Sequence, residues 1–232
     1  MASIKTGFEM VRDFNMAFEV AKFKLDETRN SREEVFENDM SLVKFRFGLI
    51  SEEIAELSEA IESDDFTEVR DAIADIAYVI YGMCDCLHIN ADDPKDFSVP
   101  TNCNLILKLA AYNEAYNRVN NSIYMQDFKA LRFNLALLLT TIKSLAVRLG
   151  INFDADFLVV HTSNMSKLCD SEEQANETVD DYKRKFEAGK SEYDAPYYKY
   201  LPELNKWAVK NGGTGPKAGK VLKNKYYISV KF

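Results

Sequence analysis

Apolar positions recur every three to four residues over most of the chain, the spacing of helices that bury one face. This pattern predicts helices over residues 7–24, Met40–Glu62, about 66–87, about 105–122, about 128–149 and 171–186. In the first, Phe8, Val11, Phe14, Phe18 and Val20 carry the apolar spacing. In the second, Ile50, Ile54, Leu57 and Ile61 form one stripe and Glu52, Glu56 and Glu59 another, with Glu53 at the margin of the apolar face. Ser63, Asp64 and Asp65 predict a tight turn and an N-cap for the next helix. That helix sets Val69, Ile73, Ile76, Ile80 and Met83 on its core stripe. Glu68, Asp71 and Asp75 lie together on about a sixth of its circumference. Residues 157–168 begin apolar and end polar.

Between these elements the pattern breaks twice. A charged stretch follows the first helix, and residues 91–104 carry two prolines. Beyond them, ALRFNLALLLTTIKSLAVRLGIN aligns without gaps on EVRDAIADIAYVIYGMCDCLHIN, a weak internal repeat. The second copy has lost its acids: Phe133 stands where Asp71 does, and Leu137 where Asp75 does. The end of the chain differs in kind. It clusters Tyr193, Tyr197, Tyr198 and Tyr200, and after Glu203 it has no acid but seven lysines. WAVK and KYYISVKF are candidate short strands around a GTGPKAGK turn. The fold class expected is all-α: a helical bundle with a degenerate second hairpin and a mostly irregular C-terminal tail carrying a short β-hairpin. The expected division is 1–168, with the acid-free repeat as an insertion at about 92–152, and 169–232.

Charge narrows the function. The 232 residues carry a formal net charge of -8, and the pI is about 5.0. A nucleic-acid or anionic-membrane binder needs a net basic face, so neither partner is expected. No apolar run reads as a membrane span of ~18 residues, and the start has no apolar core of signal-peptide type. Four cysteines without zinc spacing fit buried thiols in a reduced, cytoplasmic setting.

The acids are the costly feature. Three carboxylates within a turn of one another repel unless protonated, hydrated or bridged by a cation. Two helices joined by a short turn run antiparallel, so Glu53 and Glu56 can face Asp71 and Asp75. Four hard oxygen donors with no softer ligand describe a Mg2+ site, or one for Mn2+. Such ions serve phosphate chemistry. The competing reading of any single acid is a solvated helix surface. A di-iron bundle needs Glu-x-x-His, and neither His88 nor His161 has Glu three residues before it.

SEEIAEL followed by EVRDAIADIAYVIYG resembles the all-α nucleoside triphosphate pyrophosphohydrolases: the MazG-like enzymes, dimeric dUTPases and phosphoribosyl-ATP pyrophosphohydrolases. Their pattern is Glu-Glu-x-x-Glu, a gap, then Glu-x-x-Asp. Glu52, Glu53 and Glu56 fit the first part and Asp75 the last acid. The Glu expected three before it is Ala72 here, and Asp71 takes the same helix side; Glu68-x-x-Asp71 is the other way to read the motif. VRDFNMAF, KFRFGLI, HTSNMSKL and GKVLKNKYY resemble segments of the phosphoribosyl-ATP pyrophosphohydrolase-like branch.

The resemblance implies hydrolysis of a nucleoside triphosphate to the monophosphate and pyrophosphate, in nucleotide-pool cleansing. It implies metal binding by Glu53, Glu56, Asp71 and Asp75, and a Glu52–Glu53 pair that orients or deprotonates water. Lys167, Lys220 and Lys223 would meet phosphate as point charges. Asn164 can serve a base or sugar, or cap a turn; Tyr78 can stack on a base, or pack in the core. Arg46 can pair with the acids or with a phosphate. The alternative is an inactive helical nucleotide-binding or assembly protein, which the Ala72 departure favours. The family commonly builds its helical core from two chains, so a homodimer is one expectation. Pairing between the two hairpins of one chain is the other.

Overall fold

The computed structural model describes residues 5–20, Phe36, 40–90, 104–213 and 219–232. The rest of the charged stretch after the first helix, the proline-rich break with Cys103, and residues 214–218 of the glycine-rich turn lie outside the described residues. The elements are α1 (Gly7–Ala17), α2 (Met40–Glu62), α3 (Phe66–Cys86), α4 (Leu105–Tyr124), α5 (Phe128–Arg148), α6 (Phe153–Met165), α7 (Glu172–Glu187), β1 (Pro196–Leu201) and β2 (Lys206–Asn211). The fold is all-α with one small antiparallel hairpin. The chain divides into two compact units. The first holds residues 1–15, 20–160 and Phe232; the second holds 16–19 and 161–231, so the division falls inside α6.

The first unit is built from two helical hairpins, α2–α3 and α4–α5, with α3 against α5. Ser63 and Asp64 make the turn between α2 and α3, and Asp64 takes a positive φ of 56°. Asp65 then caps α3, its carboxylate accepting from the backbone N–H groups of Thr67 at 3.0 Å and Glu68 at 3.2 Å. The α3 stripe is as the periodicity predicts: Ile73, Ile76, Ile80 and Met83 are at most 1% exposed. Leu131, Leu135, Leu138, Ile142 and Leu145 of α5 are at 0%. The α2 stripe departs at its end. Ile50 and Leu57 are buried, but Ile61 is 44% exposed and lines a cavity of about 170 Å³ with Phe66, Val69, Leu145 and Leu149.

Helix α1 stops at Ala17, short of the predicted 24. Its Asn15 side chain donates to the buried Asp85 carboxylate of α3 at 2.8 Å. Asp156 of α6, 2% exposed, accepts two hydrogen bonds from Arg70 of α3, at 2.8 and 2.6 Å, and the Phe232 ring lies 4.5 Å from that guanidinium. Among the described residues α5 alone is long and apolar enough to cross a membrane, contrary to the expectation that no helix would be. Its buried face is the core of the second hairpin.

The second unit packs α7 on the β1–β2 hairpin, around Cys169, Ala175, Val179, Val209 and Leu222. The strands correct the expected pairing. WAVK does fall in β2, but its partner is Pro196–Leu201, with Tyr198 opposite Val209. KYYISVKF forms no strand; Val221 makes one isolated bridge with Lys210. Residues 224–227 are instead held by side chains. The buried Asn224 donates to the Leu168 carbonyl at 3.0 Å and accepts from the Thr178 hydroxyl at 3.3 Å. Glu19 accepts from Lys199 and Lys210, and these ammonium groups hold its carboxyl down at about 2.

Truncating Ile76 to Ala leaves a void in the α3–α5 seam and lowers unfolding free energy by about 3 kcal/mol. Ile61→Ala, at a half-exposed position, costs less than about 1 kcal/mol. Urea denaturation of the two variants checks the contrast.

Candidate functional site

The acids of the first hairpin gather across the α2–α3 seam. Glu53 is half-buried, while Glu52 and Glu56 on either side are exposed. Burial pushes the Glu53 carboxyl up to about 7, with Glu56, Asp71 and Glu52 adding repulsion in that order. Asp71, facing it from α3, is half-buried and also raised, first by burial, then by Glu68 and Glu56. Its Oδ1 is buried with no hydrogen-bond partner. An unsatisfied carboxylate oxygen inside a protein is costly, so the position asks for something that is not another side chain.

These groups press on one another's ionisation without converging on a point. Among the described residues no three His, Cys, Asp or Glu side chains stand close enough to hold a metal ion. The donor set still fits a hard divalent cation in its chemistry. Its members are all carboxylates, one oxygen is orphaned, and the mutual repulsion is of the kind a cation removes.

Structure sorts the remaining candidates. Asp75 is half-buried one turn beyond Asp71, and its charge is felt at Tyr78. Tyr78 is only 6% exposed, with Phe14 at 5.5 Å and Phe157 at 5.6 Å between ring centroids. This is a correction to base stacking: with neighbours on two sides, the ring is core packing. Burial, with Asp75 and Asp13, raises its hydroxyl. Ala72, where the motif's usual Glu is missing, is 5% exposed and faces the core. Within the Glu68-x-x-Asp71 register, Glu68 raises the Asp71 carboxyl and Asp71 raises that of Glu53. Arg46 is buried on α2. Its Nε lacks a partner, and one terminal nitrogen lies 3.6 Å from where a Cβ on Gly82 would sit.

Asn164, Lys167, Lys220 and Lys223 belong to the second unit. Lys167 donates to the Asn164 side-chain amide oxygen, Oδ1, at 2.6 Å. Lys223 lies over Tyr227 at 4.4 Å and Lys220 over Tyr193 at 5.7 Å, each ammonium held at an aromatic face. Sequence reasoning missed Lys143 of α5, whose ammonium donates to the Tyr81 hydroxyl at 2.9 Å, and the Arg70–Asp156 pair. The repeat was the available signal for Lys143, since it occupies the position of Tyr81.

A carboxyl whose pKa rises on folding holds its proton more tightly in the native state. Its stabilising effect is full below pH 4.5 and is lost as pH climbs through about 7. Glu53→Gln removes that dependence. The variant is more stable than the wild type at pH 8, by about 1–2 kcal/mol after solvent screening, and the gap closes by pH 5. Thermal melts of both proteins at the two pH values check it.

Residues 17–96, which contain this hairpin, match the family described as phosphoribosyl-ATP pyrophosphohydrolase. Over 253 aligned residues the chain is 29% identical to "Uncharacterized protein L479" of Acanthamoeba polyphaga mimivirus, covering 98% of this chain and 94% of that protein. No solved structure matches. The family is one of pyrophosphohydrolases and is typically metal-dependent. With its acids paired across two antiparallel helices inside the matched stretch, this all-α chain is similar, over residues 17–96, to the phosphoribosyl-ATP pyrophosphohydrolase family of the MazG-like superfamily.

Proposed function

We propose that the protein is a Mg2+-dependent nucleoside triphosphate pyrophosphohydrolase, converting a (d)NTP and water to the (d)NMP and diphosphate in nucleotide-pool cleansing. The observation that carries this is the half-buried Glu53 among Glu52, Glu56 and Asp71, with Asp71 Oδ1 orphaned. Glu53, Glu56 and Asp71, with Glu68 beside them, would hold the cation; Asp75 is the outer member of the set. When bound, Mg2+ or Mn2+ supplies charge neutralisation for the phosphates and a lowered pKa for water. One of the Glu52–Glu53 pair, of which Glu52 is exposed, would orient or deprotonate that water. A triphosphate carries several negative charges, and this acidic face repels it unless cations intervene.

A second reading has one observation in its favour. The carboxylates do not gather three to a point, which suits a nucleotide-binding or assembly protein without turnover. Pyrophosphate release from a panel of nucleotides, with and without magnesium, separates the two. Asp71→Asn is expected to lower magnesium-dependent release by about 100-fold or more while the helical circular dichroism stays unchanged. Full activity in that variant sinks the site. Asp75→Asn, run beside it, distinguishes the two registers of the motif: a smaller loss assigns Glu68-x-x-Asp71.

A further inference from the structure

Where α2 turns into α3, the first unit has an opening in its apolar core. The cavity of about 170 Å³ there is bounded by the end of α2, the start of α3, the start of α4 and the end of α5. Val69 and Leu145 are its buried walls, and Leu109 and Leu149 its half-buried ones. Ile61, Phe66 and Leu105 line it as well and are exposed, so they stand at its mouth. Asp64 is the one polar residue in the lining. A void walled by hydrocarbon offers water no partners, so it stays dry or takes an apolar group. Since a cavity of about 150 Å³ holds a benzene ring, this one accepts a side chain of leucine or phenylalanine size.

The apolar surface continues beyond the mouth. Ile106 and Leu107, next to Leu105 at the start of α4, are 77% and 55% exposed. A run of exposed apolar residues beside a cavity marks a contact with another molecule, since isolated ones carry no such meaning.

The charge around this opening has one dominant sign. Glu59, Glu62, Asp64 and Asp65 are exposed, and among the described residues none of them closes an ion pair. Asp65 uses one oxygen to cap α3. Arg70, the nearest cation further along α3, is taken up by Asp156. Arg148, next to Leu149, is the exposed cation on the α5 side.

We infer that this end of the first unit is a docking site for a basic segment of another protein. The segment places one leucine- or phenylalanine-sized side chain in the cavity and sets lysines or arginines against Glu59, Glu62, Asp64 and Asp65. Size and sign together select this occupant. A free apolar molecule fills the cavity but leaves Ile106 and Leu107 in water and the acids unmatched. Nucleic acid and anionic membranes are repelled by the acids. A short segment with one anchor among cations satisfies the cavity, the apolar run and the charge. In such contacts a central anchor carries most of the affinity, and the charged rim steers approach and selects the partner. Glu53 and Asp71 take no part.

Three end-blocked peptides, titrated into the full chain and followed by nitrogen-edited NMR, test the site: Lys-Lys-Phe-Lys-Lys, Lys-Lys-Gly-Lys-Lys and Glu-Glu-Phe-Glu-Glu. The first is expected to bind with a Kd of about 1 mM or tighter, moving the amide signals of Ile61, Val69 and Leu149. The second lacks the anchor and the third the cations, and each is expected to bind at least about tenfold more weakly. Ile61→Trp, at an exposed position, fills the mouth and is expected to weaken the first peptide about tenfold with unchanged helical circular dichroism. Leu105→Trp, run beside it, gives the same reading if the first variant loses its helices. Glu62→Gln/Asp64→Asn keeps a residue that tolerates the φ of 56° at position 64. It is expected to bind about threefold more weakly and with less dependence on salt. No signal movement up to about 5 mM overturns the docking site. So does binding that the glycine peptide matches, or that a folded tryptophan variant leaves intact. Equal binding of the acidic peptide, or unchanged affinity in the Glu62→Gln/Asp64→Asn variant, overturns the basic partner.

Discussion

The apolar seam between α3 and α5 sets the terms for everything else in the first unit. Ile73, Ile76 and Ile80 on one side and Leu135, Leu138 and Ile142 on the other are removed from water almost completely. At roughly 25 cal/mol per Å² of apolar surface, such a seam is the main stabilising contact available to helices of this length. It fixes which way α3 faces. It thereby holds Asp71 at the edge of the buried region, with Oδ1 buried and without a side-chain or backbone partner. The acidity of the site follows from the packing.

That constraint gives the carboxylates unequal roles. Glu52 and Glu56 remain in water, whereas Glu53 and Asp71 are held partly out of it and near each other. A group near neutrality beside an unsatisfied oxygen is poised to take up a cation, or to exchange a proton, without large backbone movement. The second hairpin shows the same scaffold relieved of this cost. With Ala115, Ala130 and Phe133 in place of acids, and Arg118 paired to Glu114, its surface has no comparable conflict. Between the two repeats the difference in chemistry lies in side chains: Ala115 is buried where Glu53 is half-buried, and Phe133 is half-exposed where Asp71 is half-buried.

Stripes at helical spacing, together with Ser63–Asp65 as a turn and cap, placed α2 and α3 to within a residue, because those signals depend on neighbours in the chain. The same holds for the repeat and for the acid-rich motif. The sequence by itself determined that acids of two successive helices must share a seam. What it did not determine was which acid lies deepest. Helical wheel positions put Asp75 and Asp71 on one side, and only the packing of α1 and α6 around Tyr78 drew Asp75 toward an aromatic cluster. Tertiary structure alone also decided that Tyr78 is core, that Ile61 is left half-exposed and that β2 pairs backward with β1. Each of these depends on contacts between residues far apart in the chain, and local pattern carries no record of them.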